Sequence, residues 1–141
     1  MPLGLDLALD LIRLTREFAR QRQAAPLAVA VLDAGGSVVA IQREDGASLA
    51  RADIAYAKAW GALGLGIGTR AIAGRADRNP AFIQATAALF SCRLIPSPGG
   101  IIICSADGSI LGAIGVSGDT GDIDEACALA ALDALNLSAK I

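Results

Sequence analysis

An α+β domain on an antiparallel sheet is the fold class this sequence predicts, and three observations predict it. Apolar runs come in two pairs, each joined by a four-residue turn sequence, Asp33-Ala34-Gly35-Gly36 and Ala106-Asp107-Gly108-Ser109. Turns that short return the chain antiparallel, and Asp and Gly tolerate the positive φ that tight hairpins require. Helix-period patterns fill both ends and the middle, so helices lie on the sheet rather than alternate with single strands. At 141 residues the chain makes one domain, residues 1–141, large enough for a proper core.

The elements follow in order. Leu3 to Gln23 reads as an amphipathic helix, with Leu7, Leu11, Leu14 and Phe18 at helical spacing, acids early and bases late. Pro26 ends it. Leu27 to Leu32 is a short apolar strand buried on both faces, and Ser37 to Arg43 returns beside it. Ser48 is placed to cap a helix from about Leu49 to Leu63, on which Ile54, Ala55, Lys58, Ala59 and Ala62 share a face. Gly64, Gly66 and Gly68 close that helix. They resemble a phosphate loop only superficially, because they follow a helix and no Lys-Ser/Thr comes after them. Short helices are expected over Thr69–Arg75 and Ala81–Phe90, with Pro80 in the first turn of the second. Ser91 to Pro98 is an irregular connection in which Arg93 either faces solvent or lines a cleft. The second hairpin and a final helix from Asp122 to Leu137 complete the chain.

Composition narrows the function. Hydrophobic residues make up 54% of the chain and aromatics only 4%, which suits a core of small, closely approaching elements. The apolar excess also suits a surface covered by a further subunit, although alanine alone inflates the count. Net charge is −2 with no basic stripe, so nucleic acid is not an expected partner. No signal peptide and no membrane-spanning run is legible, so a cytoplasmic location is expected. Cys92, Cys104 and Cys127 are odd in number and widely spaced, which fits buried small hydrophobes rather than disulfides or a zinc site. There is no histidine, which removes Ser-His-Asp and Cys-His catalysis and imidazole-ligated zinc or haem within this chain.

An ordered set of motifs then points to a family. They are Val31-Leu32-Asp33-Ala34-Gly35-Gly36, Arg43-Glu44-Asp45-Gly46-Ala47, Asp53-Ile54-Ala55-Tyr56-Ala57-Lys58-Ala59, Pro98-Gly99-Gly100, Gly112-Ala113-Ile114-Gly115-Val116-Ser117-Gly118 and Asp124-Glu125-Ala126-Cys127-Ala128. Together they resemble the GlcG/HbpS-type haem-degrading family, which includes the C-terminal domain of PduO-type cobalamin adenosyltransferases. The resemblance implies a profilin-like fold with a five-stranded antiparallel sheet. It also implies assembly into dimers or higher even-numbered homo-oligomers, pockets near subunit interfaces, and links to haem or to small-molecule catabolism. The chain departs from a haem binder of the imidazole type because it has no histidine; Tyr56, Lys58 or a cysteine would have to substitute.

The charged residues offer a second chemistry. Arg43 supplies a fork for a carboxylate, Lys58 a point charge, and Asp45 a proton acceptor, near a glycine-rich strand exit. Asp33, Tyr56, Ser117, Gly118 and Asp119 are the expected substrate contacts, with the Gly118–Gly121 amides able to receive an anion. That is the apparatus of a cofactor-independent isomerase, tautomerase or lyase on a small oxo- or hydroxy-acid, with no metal. The plainer readings stand beside it: Lys58 snorkels to solvent, Asp33 braces a turn, and Asp119, Asp122 and Asp124 cap a helix. The sequence therefore predicts a small-molecule-binding protein with an anionic metabolite as ligand, and haem or another tetrapyrrole as the alternative.

Overall fold

A computed structural model describes residues 2–141. The order is α1 (Leu5–Gln21), β1 (Ala28–Asp33), β2 (Val38–Arg43), α2 (Arg51–Leu65), α3 (Thr69–Arg78), α4 (Pro80–Leu89), β3 (Gly100–Cys104), β4 (Ile110–Ser117), α5 (Gly121–Ala134) and β5 (Ser138–Lys140). The strands form one sheet in the order β2-β1-β4-β3-β5, every neighbouring pair antiparallel. The expected α+β fold with five antiparallel strands is what forms. The strands of the second hairpin sit in the middle and toward one edge, and β2 and β5 are the two edges.

Alternation along the strands divides two cores. Leu27, Val29, Val31, Ile101, Ile103, Ile114 and Val116 face α1 and α5, whose Ala8, Leu11, Ile12, Cys127, Ala131 and Leu132 complete the larger one. On the other face Ala28, Ala30, Leu32 and Ala113 meet Ala55 and Ala59 of α2. Small residues let α2 lie almost on the sheet: a Cβ at Gly115 would overlap the Ala55 carbonyl oxygen, and one at Gly100 the Lys58 carbonyl oxygen. The hairpin turns use glycine as the sequence implies, with Gly36 at φ 85° and Gly108 at φ 87°.

Several boundaries differ from expectation for identifiable reasons. The last helix stops at Ala134 because Asn136 takes a positive φ of 56°, and Ser138–Lys140 then pairs with β3 as the fifth strand. Ser48 does not cap α2 with its side chain; its carbonyl accepts from the Arg51 N–H at 3.1 Å in a turn before the helix. The buried stripe of α1 runs through Ala8, Leu11, Ile12, Thr15 and Ala19 rather than centring on Leu7, Leu14 and Phe18, which are only partly buried. Of the three cysteines only Cys127 is buried; Cys92 is exposed, in the turn after α4.

Candidate functional site

Lys58 is where the structure departs most from a catalytic reading. It is 3% exposed, so it does not snorkel to solvent. α2 carries it to the end of the sheet, where its ammonium donates to Val116 O at 2.9 Å, Pro98 O at 3.0 Å and Asp124 Oδ2 at 3.3 Å. Three donors meet three acceptors, so no N–H is left to hold a substrate. Asp124 in turn accepts from the Asp119 N–H at 2.9 Å. Burial pushes the Lys58 ammonium below its ordinary pKa and the Asp124 carboxyl above its own, in both cases against the attraction of the partner. The pair ties α2 to α5 around the end of the sheet.

The other residues predicted for the site do not gather around Lys58. Arg43 donates to the Ala47 and Glu44 carbonyls at 2.7 and 3.4 Å, which folds the loop after β2. Asp45 is exposed and lines a hollow with Arg16, Arg20, Pro26 and Glu44. Asp33 Oδ1 accepts from the Gly35 and Ser37 N–H groups, both at 3.0 Å, and so braces the first hairpin. Tyr56 is half-buried against Ala28, Ala30 and Ala55. The Ser117 hydroxyl is buried and accepts from Arg51 at 3.1 Å. Gly118 lies against the backbone of Pro26 and Leu27, with no room there for a side chain. Asp119 accepts from the N–H groups of Ala25 and Thr120, both at 2.7 Å, which hold its carboxyl below the usual range. The expected convergence of Arg43, Asp45 and Lys58 therefore does not occur. Thr120, not an aspartate, caps α5, and Asp122 pairs with Arg70. Arg93 is neither free in solvent nor in a cavity; its guanidinium stacks 3.7 Å from the Trp60 ring centre.

A different constellation opens on the other side of the sheet. Arg13, Arg16 and Arg20 of α1, with Glu17, Gln21 and Glu44, line an open groove of about 450 Å³. Their spacing of three and four residues puts the arginines on one exposed helix face, and Leu5 and Leu9, 55% and 38% exposed, continue that face toward the N-terminus. One stripe thus runs from apolar to cationic along the helix. Glu44 anchors it: its carboxylate accepts from the Leu27 N–H at 3.0 Å, Arg20 at 3.2 Å and Arg16 at 3.4 Å. Arg13 pairs with Glu17 at 3.0 Å. Three guanidinium groups and two carboxylates line the groove, and Asp10, 3.5 Å from Arg13, adds a third acid beside them. The arginine spacing was visible in the sequence, but the pairing that organises it is not: Glu44 lies 24 and 28 residues from its partners.

The groove offers guanidinium donors and no nitrogen or sulfur ligand for a haem iron. The chain has no histidine, and no cysteine, tyrosine or lysine lines the arginine groove. Among the described residues no group of three or more metal-ligating side chains occurs, and no helix is long and apolar enough to cross a membrane.

The chain is similar to known proteins along most of its length. Residues 3–133 match the family described as haem degrading protein, HbpS-like. An uncharacterised 15.0 kDa protein in the dhaT-dhaS intergenic region of Citrobacter freundii is 33% identical over 113 residues, which covers 77% of this chain and 75% of that one. Among solved structures, a PduOC–haem complex superposes with a TM-score of 0.87 at 25% identity, covering 98% of each chain. An HbpS double mutant from Streptomyces reticuli superposes with a TM-score of 0.79 at 29% identity, covering 96% of this chain and 88% of its own.

Proposed function

The chain belongs to the HbpS-like haem-degrading family, and from that premise we propose that it binds haem or a related tetrapyrrole through the porphyrin carboxylates, in the α1 groove, without an imidazole bond to iron. The observation that carries this reading is the amphipathic stripe on α1, Leu5 and Leu9 leading into Arg13, Arg16 and Arg20. A porphyrin has an apolar body and two carboxylates on one edge, and guanidinium groups grip carboxylates in a fixed planar fork. The similar fold of the PduOC–haem complex supports the ligand class. Catalysis is not part of the reading, since Lys58 has no donor to spare.

Haemin and metal-free protoporphyrin test this directly. If the carboxylates carry recognition, both titrate the protein with similar affinity, and the haemin Soret band shows no imidazole-type shift. Binding of haemin with none of the metal-free porphyrin would overturn it. A small oxo- or hydroxy-acid would meet the same arginines, and is distinguished by whether it displaces the porphyrin at millimolar concentration.

A further inference from the structure

Ala25 is held at both ends, and the two holds come from distant parts of the chain. It lies in the connection between α1 and β1, is exposed, and belongs to no helix or strand. Its N–H donates to Asp119 Oδ2 at 2.7 Å, and its carbonyl accepts from Arg20 Nη2 at 2.9 Å. The same Nη2 donates to Glu44 Oε1 at 3.2 Å. Both hydrogens of that nitrogen are therefore spent inward, on two acceptors, which fixes the plane of the guanidinium. Among the described residues nothing accepts from Nε or Nη1 of Arg20, so those donors are left for the groove.

The two inward acceptors are supported differently. Glu44 is anchored by the Leu27 N–H at 3.0 Å. The Ala25 carbonyl depends on Asp119, the acceptor of its own residue's N–H. Asp119 is well placed to hold it. Its Oδ1 accepts from the Thr120 N–H at 2.7 Å, and its own N–H donates to Asp124 Oδ1 at 2.9 Å. Gly118, the residue before it, packs directly on Pro26 and Leu27, which brings the exit of β4 against this connection. Asp124 is in turn held by Lys58 at 3.3 Å. A run of contacts thus leads from the buried ammonium through Asp124, Asp119 and Ala25 to Arg20.

We propose that Asp119 is a positioning residue for the α1 groove: it fixes Ala25, and through the Ala25 carbonyl it sets the Arg20 fork that meets a porphyrin carboxylate. Asp119 does not itself line the groove. The carboxylate partner rests on the tetrapyrrole reading; the hold on Arg20 does not. The sign of the effect separates this role from simple charge. Removing an acid near the groove would, by charge alone, tighten binding of an anionic ligand. Positioning requires the opposite.

Asp119→Ala and Arg20→Ala, singly and together, test this with metal-free protoporphyrin as the probe. Asp119→Ala is expected to weaken binding at least about fivefold, the scale of one hydrogen bond. It should add nothing once Arg20 is alanine, because the two substitutions act on one contact. Should circular dichroism show Asp119→Ala unfolded, Asp119→Asn takes its place. One amide oxygen must then serve two N–H groups, and binding is expected to weaken at least about twofold. In the ligand-free protein, guanidinium NMR should show hindered rotation of the Arg20 Nη2 group in the wild type and faster rotation in the Asp119 variant. Unchanged or tighter porphyrin binding by a folded Asp119 variant overturns the proposal, and so does an equal loss in the Arg20→Ala background. If the wild type binds no porphyrin, the tetrapyrrole reading falls and the NMR comparison decides the hold on Arg20. Faster rotation then upholds it, and unchanged Arg20 signals overturn it.

Discussion

Asp124 and Glu44 are both carboxylates almost withdrawn from solvent, at 1% and 9% side-chain exposure, and both hold cations. They differ in where those cations end. The Lys58 side chain is 4% exposed and spends every donor inside the protein, whereas Arg16 and Arg20 are each 46% exposed and keep part of each guanidinium at the surface. A buried charge with no vacancy serves the fold; a half-exposed cation anchored from behind keeps donors at the surface, which is what the proposed ligand site uses. The difference lies in the backbone around each pair. α2 is pressed onto Gly100 and Gly115, so Lys58 has nowhere to go but the end of the sheet, while α1 lies at the flank of β2 and leaves its arginines open.

The largest expected effect breaks the buried pair. Lys58→Met leaves the Asp124 carboxylate without its cation, and urea denaturation should show a loss of about 3–5 kcal/mol. Adding Asp124→Asn should restore at least half of it, because an amide still accepts from the Asp119 N–H and carries no charge. A single-mutant loss under about 1 kcal/mol would erase the distinction between the two clusters, since that is the cost of a surface pair. Next comes the seat of Lys58: Gly115→Ala forces a methyl group against the Ala55 carbonyl and should cost about 1–3 kcal/mol, read from the denaturation midpoint.

Acid separates two carboxylates of one loop-and-helix junction. The Asp124 pKa is raised, so its contribution to stability is present below its unfolded value and is lost as pH rises through the folded one. Asp119 is lowered by the N–H groups of Ala25 and Thr120, so its contribution is present above the unfolded value and is lost as pH falls through the folded one. Asp119→Asn should therefore flatten the loss of stability on acidification below about pH 4, and Asp124→Asn should steepen it. Denaturation midpoints from pH 3 to pH 7 read both slopes; equal effects of the two variants would contradict the assigned environments. The smallest stability effect belongs to the groove. Arg13→Ala should cost under about 1 kcal/mol, because its partners Glu17 and Asp10 are as exposed as it is.

Most of the architecture could be read from local chemistry. The Asp- and Gly-bearing turns, the apolar runs that flank them and the proline that opens α4 act within a few residues, so both hairpins and most of the helices fall close to their expected spans. β5 was expected only through the family resemblance, because three residues without apolar alternation carry no strand signal; pairing with β3 makes them a strand. The site was much less legible. Lys58 stood out among alanines, but its partner Asp124 lies 66 residues away, and Asp124 reads locally as a helix-cap acid. Arg43 and Asp45 were grouped with Lys58 because they lie close to its helix in sequence, but the fold spends Arg43 on the Ala47 carbonyl and leaves Asp45 at a hollow beside α1. Arg13, Arg16 and Arg20 looked like the polar face of a helix, and only the hidden Glu44 sets them apart from ordinary surface arginines.

Fluorescence of the single tryptophan, Trp60, together with porphyrin absorbance measures ligand affinity in the wild type and in the Arg13→Ala/Arg16→Ala double variant, which leaves Arg20 on Glu44. The variant should unfold at a urea midpoint close to that of the wild type and bind metal-free protoporphyrin at least about tenfold more weakly, the equivalent of losing one charge-assisted carboxylate contact. Unchanged porphyrin affinity in a folded double variant would contradict the assignment of the α1 groove as the binding site.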